Sequence, residues 1–231
     1  MSALVERVKK VRTLNENAHA HDGLLLISVP ETPRFPRLAT IPGTKREIEL
    51  IQQRLDDNLR ILPLSQDSAT INNVMEGMES YSCIHLACHA GQDPGNPLES
   101  GFYLHDGRLE LSDVIKKQVA ISDFAFLSAC QTSTGHATLS EEAVHLAAGM
   151  LAAGYRGVVG TMWAIQDYYG PQIAEEFYGN LINHVGHDGR KRLSSDGAAH
   201  ALHYAIQKIR KTVGDSERSL LVWVPYVHFG L

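Results

Sequence analysis

The chain has 231 residues and a mass of 25.4 kDa, the size of one large domain. Hydrophobic residues make up 44% and charged residues 20%, a globular composition that excludes a disordered chain or a long coiled coil. Lys and Arg number 21 against 26 Asp and Glu, a net charge of −5. No basic stripe with interleaved aromatics is present, so no nucleic-acid partner is expected, and no apolar run approaches the ~20 residues of a membrane helix.

The segment 1–22 reads as a polar lead-in with Leu4, Val5, Val8, Val11 and Leu14 at helical spacing. It lacks the apolar core of a secretory signal. Residues 23–231 form the expected single domain. Gly23 opens a continuous apolar strand over 24–29 that Pro30 ends, and a Pro-rich loop reaches Pro42. Thr44 starts a helix through Ile48, Ile51, Leu55 and Leu59, with Glu47 three residues on as a candidate capping box. A short strand over 60–64 and a helix opened by 68–70 follow. The run 81–88 is a third strand that ends at His89.

After a Gly/Pro/Asn loop, 101–104 and 108–111 flank His105, Asp106 and Gly107 as a small hairpin, and a helix follows over 112–118. The run 123–128 is another buried strand, ending just before Cys130. Thr138 and Glu141 are spaced to cap a helix that stops at Gly154. A strand over 157–163 leads to a helix over about 171–184. A polar loop carries Arg190, Lys191 and Arg192, the last helix runs over about 196–213, and 220–224 reads as the terminal strand. Strands that are continuous apolar runs, alternating with helices, predict a mainly parallel sheet covered on both faces.

Ligands of such sheets sit beyond the carboxyl ends of the strands. His89 and Cys130 both follow a strand end, so adjacent parallel strands would deliver an imidazole and a thiol to one edge. An imidazole beside a thiol activates it as a nucleophile. Spacing alone leaves the other possibility open: a buried core thiol and a hydrogen-bonded loop histidine. The backbone N–H groups of Ala90, Gly91 and Cys130 are candidate oxyanion donors.

The three cysteines, Cys83, Cys88 and Cys130, are odd in number and contain no CxxC pair. That argues against a disulfide framework and for a reducing, cytoplasmic setting. His85 and His89 are four apart on a strand, hence about 13 Å from each other, so no metal site is expected. No phosphate-binding glycine motif is present, and no cofactor is expected.

Three segments in order carry a resemblance: CIHLACHA, then FLSACQTSTG, then GVVGTMWAIQD, with the ending WVPYVHFG. Together they resemble the CHAT domain, a caspase-like cysteine peptidase module, over about residues 23–231. The resemblance implies a caspase-hemoglobinase fold, a three-layer α/β/α sandwich related to those of separase, metacaspases and gingipains. It implies His89 as general base and Cys130 as nucleophile, acting on a protein substrate through a thioester, without metal or organic cofactor. It also implies that Asp167, after Trp163, lines the substrate site and faces a basic P1 side chain; helix capping is the other role open to Asp167.

The family's usual residue after the histidine is Gly, and here it is Ala90. That departure sustains the alternative of a catalytically silent interaction module, and the dyad alone also admits a transpeptidase. If the pocket is acidic, Arg190, Lys191 and Arg192 form a candidate processing site. By the same resemblance the setting is regulated cell death or defence, with an upstream repeat or sensor region as regulator.

Overall fold

The computed structural model describes residues 22–55, 59–93, 95–117, 119, 122–131, 142–163, 165, 167–183 and 193–230; for 129–131 and 142–145 it describes the backbone. The lead-in 1–21, the Thr138 and Glu141 cap and the Arg190 to Arg192 segment lie outside the described residues. The first strand, β1 (Leu24–Ser28), is buried throughout, as its uninterrupted apolar run requires. It is followed by α1 (Gly43–Arg54), β2 (Ile61–Ser65), α2 (Ile71–Ser80) and β3 (Cys83–Gly91). The hairpin β4 (Gly101–Tyr103) and β5 (Arg108–Glu110) leads into α3 (Leu111–Lys117) and β6 (Phe124–Gln131). Then come α4 (Glu142–Ala153), β7 (Gly157–Thr161), α5 (Gly170–Leu181), α6 (Ala198–Val213), α7 (Glu217–Trp223) and β8 (Tyr226–Gly230).

The sheet runs β2-β1-β3-β6-β7-β8, with β4 and β5 branching from β3. The pairs from β2 to β7 are parallel and β8 is antiparallel to β7. Alternation along each strand divides the core into two. Leu25, Ile27, Ile84 and Leu127 pack with Val74 and Met78 of α2, Val114 of α3 and Met150 of α4. Leu24, Leu26, Phe124 and Phe126 pack with Ile48 and Ile51 of α1, Phe177 of α5 and Ala205 of α6 on the other face. This is the three-layer α/β/α sandwich expected.

Three expectations need correction. Residues 220–224 are not a strand: Ser216 accepts from the Ser219 N–H and caps α7, and the terminal strand begins after Pro225, which cannot continue a helix. Glu47 does not close a capping box; Pro42, the residue before α1, makes no side-chain cap, and the Thr44 hydroxyl donates to the Ile41 carbonyl at 2.9 Å. Finally, β3 does not end at His89 but continues to Gly91. The reason is β4, which pairs antiparallel with that extension as His89↔Tyr103, Ala90↔Phe102 and Gly91↔Gly101, where the β1 ladder has already stopped at Ala87.

Candidate active site

The hairpin and α3 form the crossover between β3 and β6, and the two strands pair in parallel from Cys83↔Phe124 to Ala90↔Gln131. That register sets His89 opposite Cys130. Neighbouring strands lie about 4.8 Å apart, so the two backbones are held at one level near the carboxyl edge of the sheet.

His89 is 1% exposed, and its Nε2 lies 2.6 Å from the Ala39 carbonyl oxygen. A carbonyl can only accept, so Nε2 carries the proton and donates it. In the neutral ring the lone pair is then on Nδ1, which is buried and has no partner among the described residues. The fold thus selects a tautomer whose free basic nitrogen is Nδ1. The orienting group is a main-chain carbonyl in the Pro-rich loop before α1; no side-chain signal marks it, and the sequence motifs passed over it.

Ala90 is buried among Leu86, Cys88 and Leu127 in the core beneath α2 and α4. Its methyl group therefore lies on the face of the sheet opposite the core that holds Phe126 and α1, and it takes no space beside His89. The β6 ladder ends at Ala90↔Gln131 while the β4 ladder reaches Gly91, so Gly91 has a strand partner on one side only. A Cβ on Gly91 would come within 2.6 Å of the Tyr103 hydroxyl, which explains the glycine. Arg108 donates to the Gly91 carbonyl at 3.1 Å, with its guanidinium carbon 5.5 Å from the Tyr103 ring centroid.

Asp167 and Trp163 lie beyond β7, both half-buried. The Trp163 indole nitrogen is buried and without a partner among the described residues. Asp167 does cap a helix, though not the one that follows it: its Oδ2 accepts from the Gly43 N–H at 2.8 Å, at the start of α1, while α5 has no side-chain cap. A Cβ on Gly43 would collide with this carboxylate. The tie spans 124 residues.

The other two cysteines, Cys83 and Cys88, are buried in the core. Burial, with the Asp123 charge adding to it, pushes the Cys83 thiol far above its ordinary pKa, so it stays protonated and inert. Among the described residues no group of three or more His, Cys, Asp or Glu side chains is arranged to hold a metal ion. No described helix is long and apolar enough to cross a membrane.

The mainly parallel α/β/α sandwich is a caspase-like fold. The sequence matches the CHAT domain family over residues 2–231, and the chain belongs to that family. Its fold is similar to that of gingipain R (RgpB), described as an Arg-specific cysteine proteinase, with a TM-score of 0.58 and 13% identity over 92% of this chain and 47% of that one. A second similar structure is the complex of the Porphyromonas gingivalis RgpB pro- and mature domains, with a TM-score of 0.56 and 12% identity over 98% and 51%. The chain therefore spans about half the length of these gingipain structures. A comparison with curated protein sequences finds no match.

Proposed function

We propose that this protein is a cysteine endopeptidase in which Cys130 is the nucleophile and His89 its base. The observation that carries the reading is the His89↔Cys130 register together with an imidazole whose Nε2 is committed to Ala39. Nδ1 takes the thiol proton as sulfur attacks the scissile carbonyl carbon. The same nitrogen returns the proton to the departing amine as the C–N bond breaks, leaving a thioester on Cys130. Water then attacks the thioester, releasing the carboxylic acid and restoring the thiol. Backbone N–H groups of Ala90, Gly91 and Cys130 are the proposed donors to the oxyanion, Gly91 being the one with an open strand edge.

Asp167 is the proposed selector of a basic P1 residue, with Trp163 beside it. Its carboxylate has one oxygen on Gly43, and a charged acceptor near a cleft favours Arg or Lys through charge-assisted hydrogen bonds. The Ala90 methyl, lying in the opposite core, gives no support to a silent interaction module. The same proposal covers the setting: a protein substrate cut in the cytoplasm during regulated cell death or defence, under the control of a repeat or sensor region.

The test is a panel of fluorogenic peptides varied at P1, with wild type, Cys130→Ala and His89→Ala. Cleavage after Arg or Lys is expected, with a loss of about a thousandfold or more in both variants and unchanged melting temperatures. Hydrolysis that survives Cys130→Ala would overturn the assignment.

A further inference from the structure

One group of buried polar side chains has no role in the dyad chemistry. Glu47 of α1 is 2% exposed and His85 of β3 is fully buried, in a layer otherwise built from Leu24, Leu26, Ile48, Phe126 and Phe177. Glu47 Oε1 lies 3.1 Å from His85 Nε2, off the line of the ring N–H, so the contact is electrostatic more than a directed hydrogen bond. Glu47 Oε2 accepts the Ser128 hydroxyl at 3.0 Å, and His85 Nδ1 is 3.2 Å from the Tyr178 hydroxyl. Burial, with Cys83 and Glu47 adding to it, raises the Tyr178 pKa far above its ordinary value, so the phenol stays neutral. The His85 ring stacks on Phe126 with centroids 5.0 Å apart. Gly170, the first residue of α5, brings a helix N-terminus over the carboxylate: a Cβ there would sit 3.4 Å from Glu47 Oε2. That end of a helix favours negative charge.

Stability does not account for such a cluster, because apolar residues of the same volume serve a buried site as well or better. Its position does. Ser128 stands two residues before Cys130 on β6 and His85 four before His89 on β3, and the strands pair as His85↔Phe126, Ala87↔Ser128 and His89↔Cys130. The helix that carries Glu47 also begins just after the loop whose Ala39 carbonyl holds His89. Thr44, one turn before Glu47, donates to Ile41 and accepts from the Ser28 hydroxyl of β1, while Gly43 is held by Asp167. The first two turns of α1 thus grip β1, β3, β6 and the segment after β7.

We propose that Glu47 is a positioning residue: through His85 and Ser128 it locks the ends of β3 and β6 in the register that brings His89 and Cys130 together. This rests on the dyad reading above and deepens it.

The test compares Glu47→Leu, Glu47→Gln and Ser128→Ala in the full chain. Leucine fills the space and removes both polar contacts. Glutamine keeps an acceptor for Ser128 and offers an N–H to His85 Nε2 once the ring proton moves to Nδ1, where the Tyr178 oxygen accepts it. Glu47→Leu is expected to melt below wild type, because it leaves the Ser128 hydroxyl and the His85 ring buried without their partner. It is also expected to lose about ten- to a hundredfold in kcat per folded molecule, with KM within about twofold, because small displacements of reacting groups are that costly. Glu47→Gln recovers kcat to within about threefold of wild type, and Ser128→Ala falls between the two.

The alkylation rate of Cys130 by iodoacetamide, read by peptide mass spectrometry over about pH 5 to 9, follows the same order. That readout needs no peptide hydrolysis. If wild type cleaves no peptide but its Cys130 alkylation depends on Glu47, the peptidase reading fails and the positioning role stands. A folded Glu47→Leu protein with unchanged kcat and alkylation overturns the proposal, and so does a loss that glutamine fails to recover. If Glu47→Leu does not fold, Ser128→Ala decides alone: one hydroxyl removed with no change in kcat or alkylation overturns it.

Discussion

The two ends of the central strand β6 are built on opposite principles. At its start, Asp123 Oδ1 accepts from Arg156 at 3.0 Å and from the Ser195 hydroxyl at 2.7 Å, and Oδ2 accepts from the Ser195 N–H at 3.1 Å. Arg156 in turn reaches Asp196 at 2.9 Å. Toward the carboxyl edge, His89 Nδ1, both amide atoms of Gln92, Arg108 Nε and Trp163 Nε1 are buried without partners among the described residues. Buried polar groups are normally satisfied, and each one that is not costs stability. One end of the sheet therefore spends its polar groups on closure, while the other keeps several in hand at the edge that carries the proposed dyad. Two atoms toward the scaffold end break the pattern, the Tyr155 hydroxyl and His228 Nε2.

The sharpest way to break this contrast is at the closed end. Asp123→Ala leaves the Arg156 guanidinium, 20% exposed, without one of its two carboxylate partners among the described residues and strands the Ser195 N–H. The expected cost is about 3 kcal/mol of stability, read by urea unfolding, with kcat per folded molecule unchanged. A variant that keeps its stability but loses turnover would erase the distinction between scaffold and site.

Asp167 lies between the two regimes, because its carboxylate ties down a helix and is also the proposed selector of P1. Asp167→Asn keeps an acceptor for the Gly43 N–H but removes the charge. Preference for basic over neutral P1 residues is expected to drop about tenfold or more with little change in melting temperature. Asp167→Ala also frees the start of α1 and costs about 1 kcal/mol of stability. Unaltered P1 preference in Asp167→Asn would reduce Asp167 to a purely structural tie.

What the sequence made legible divides along similar physical lines. Runs such as Leu24–Ser28 announce themselves because strands covered on both faces need apolar residues at every position, and the level of His89 with Cys130 follows once two such runs are neighbours. Residues 220–224 misled because a short apolar run fits a helix as well as a strand, and the Ser216 cap decided it. The two residues by which β3 outlasts His89 depend on β4, a pairing that no local pattern contains. The Ala39 carbonyl carries no side-chain signature, since every residue has one. Glu47 looked like a helix-start acid because spacing reports neighbours along the chain, whereas its partners Ser128 and His85 come from other strands.

The smallest expected effect tests one of the exceptions at the scaffold end. Burial lowers the His228 pKa below its ordinary value of 6.5, so the unfolded chain takes up a proton at a pH where the folded chain still refuses it. Stability therefore rises with pH across that window. The penalty is absent above about pH 6.5, grows as pH falls toward the folded-state pKa and is constant below it. His228→Gln removes the titrating ring from β8, so its melting temperature should fall less than that of wild type between about pH 7 and pH 5. Parallel melting curves for the two proteins over that range would mean that the unpartnered ring nitrogen costs nothing to protonate. The contrast between a closed end and an open one would then have to be drawn without His228.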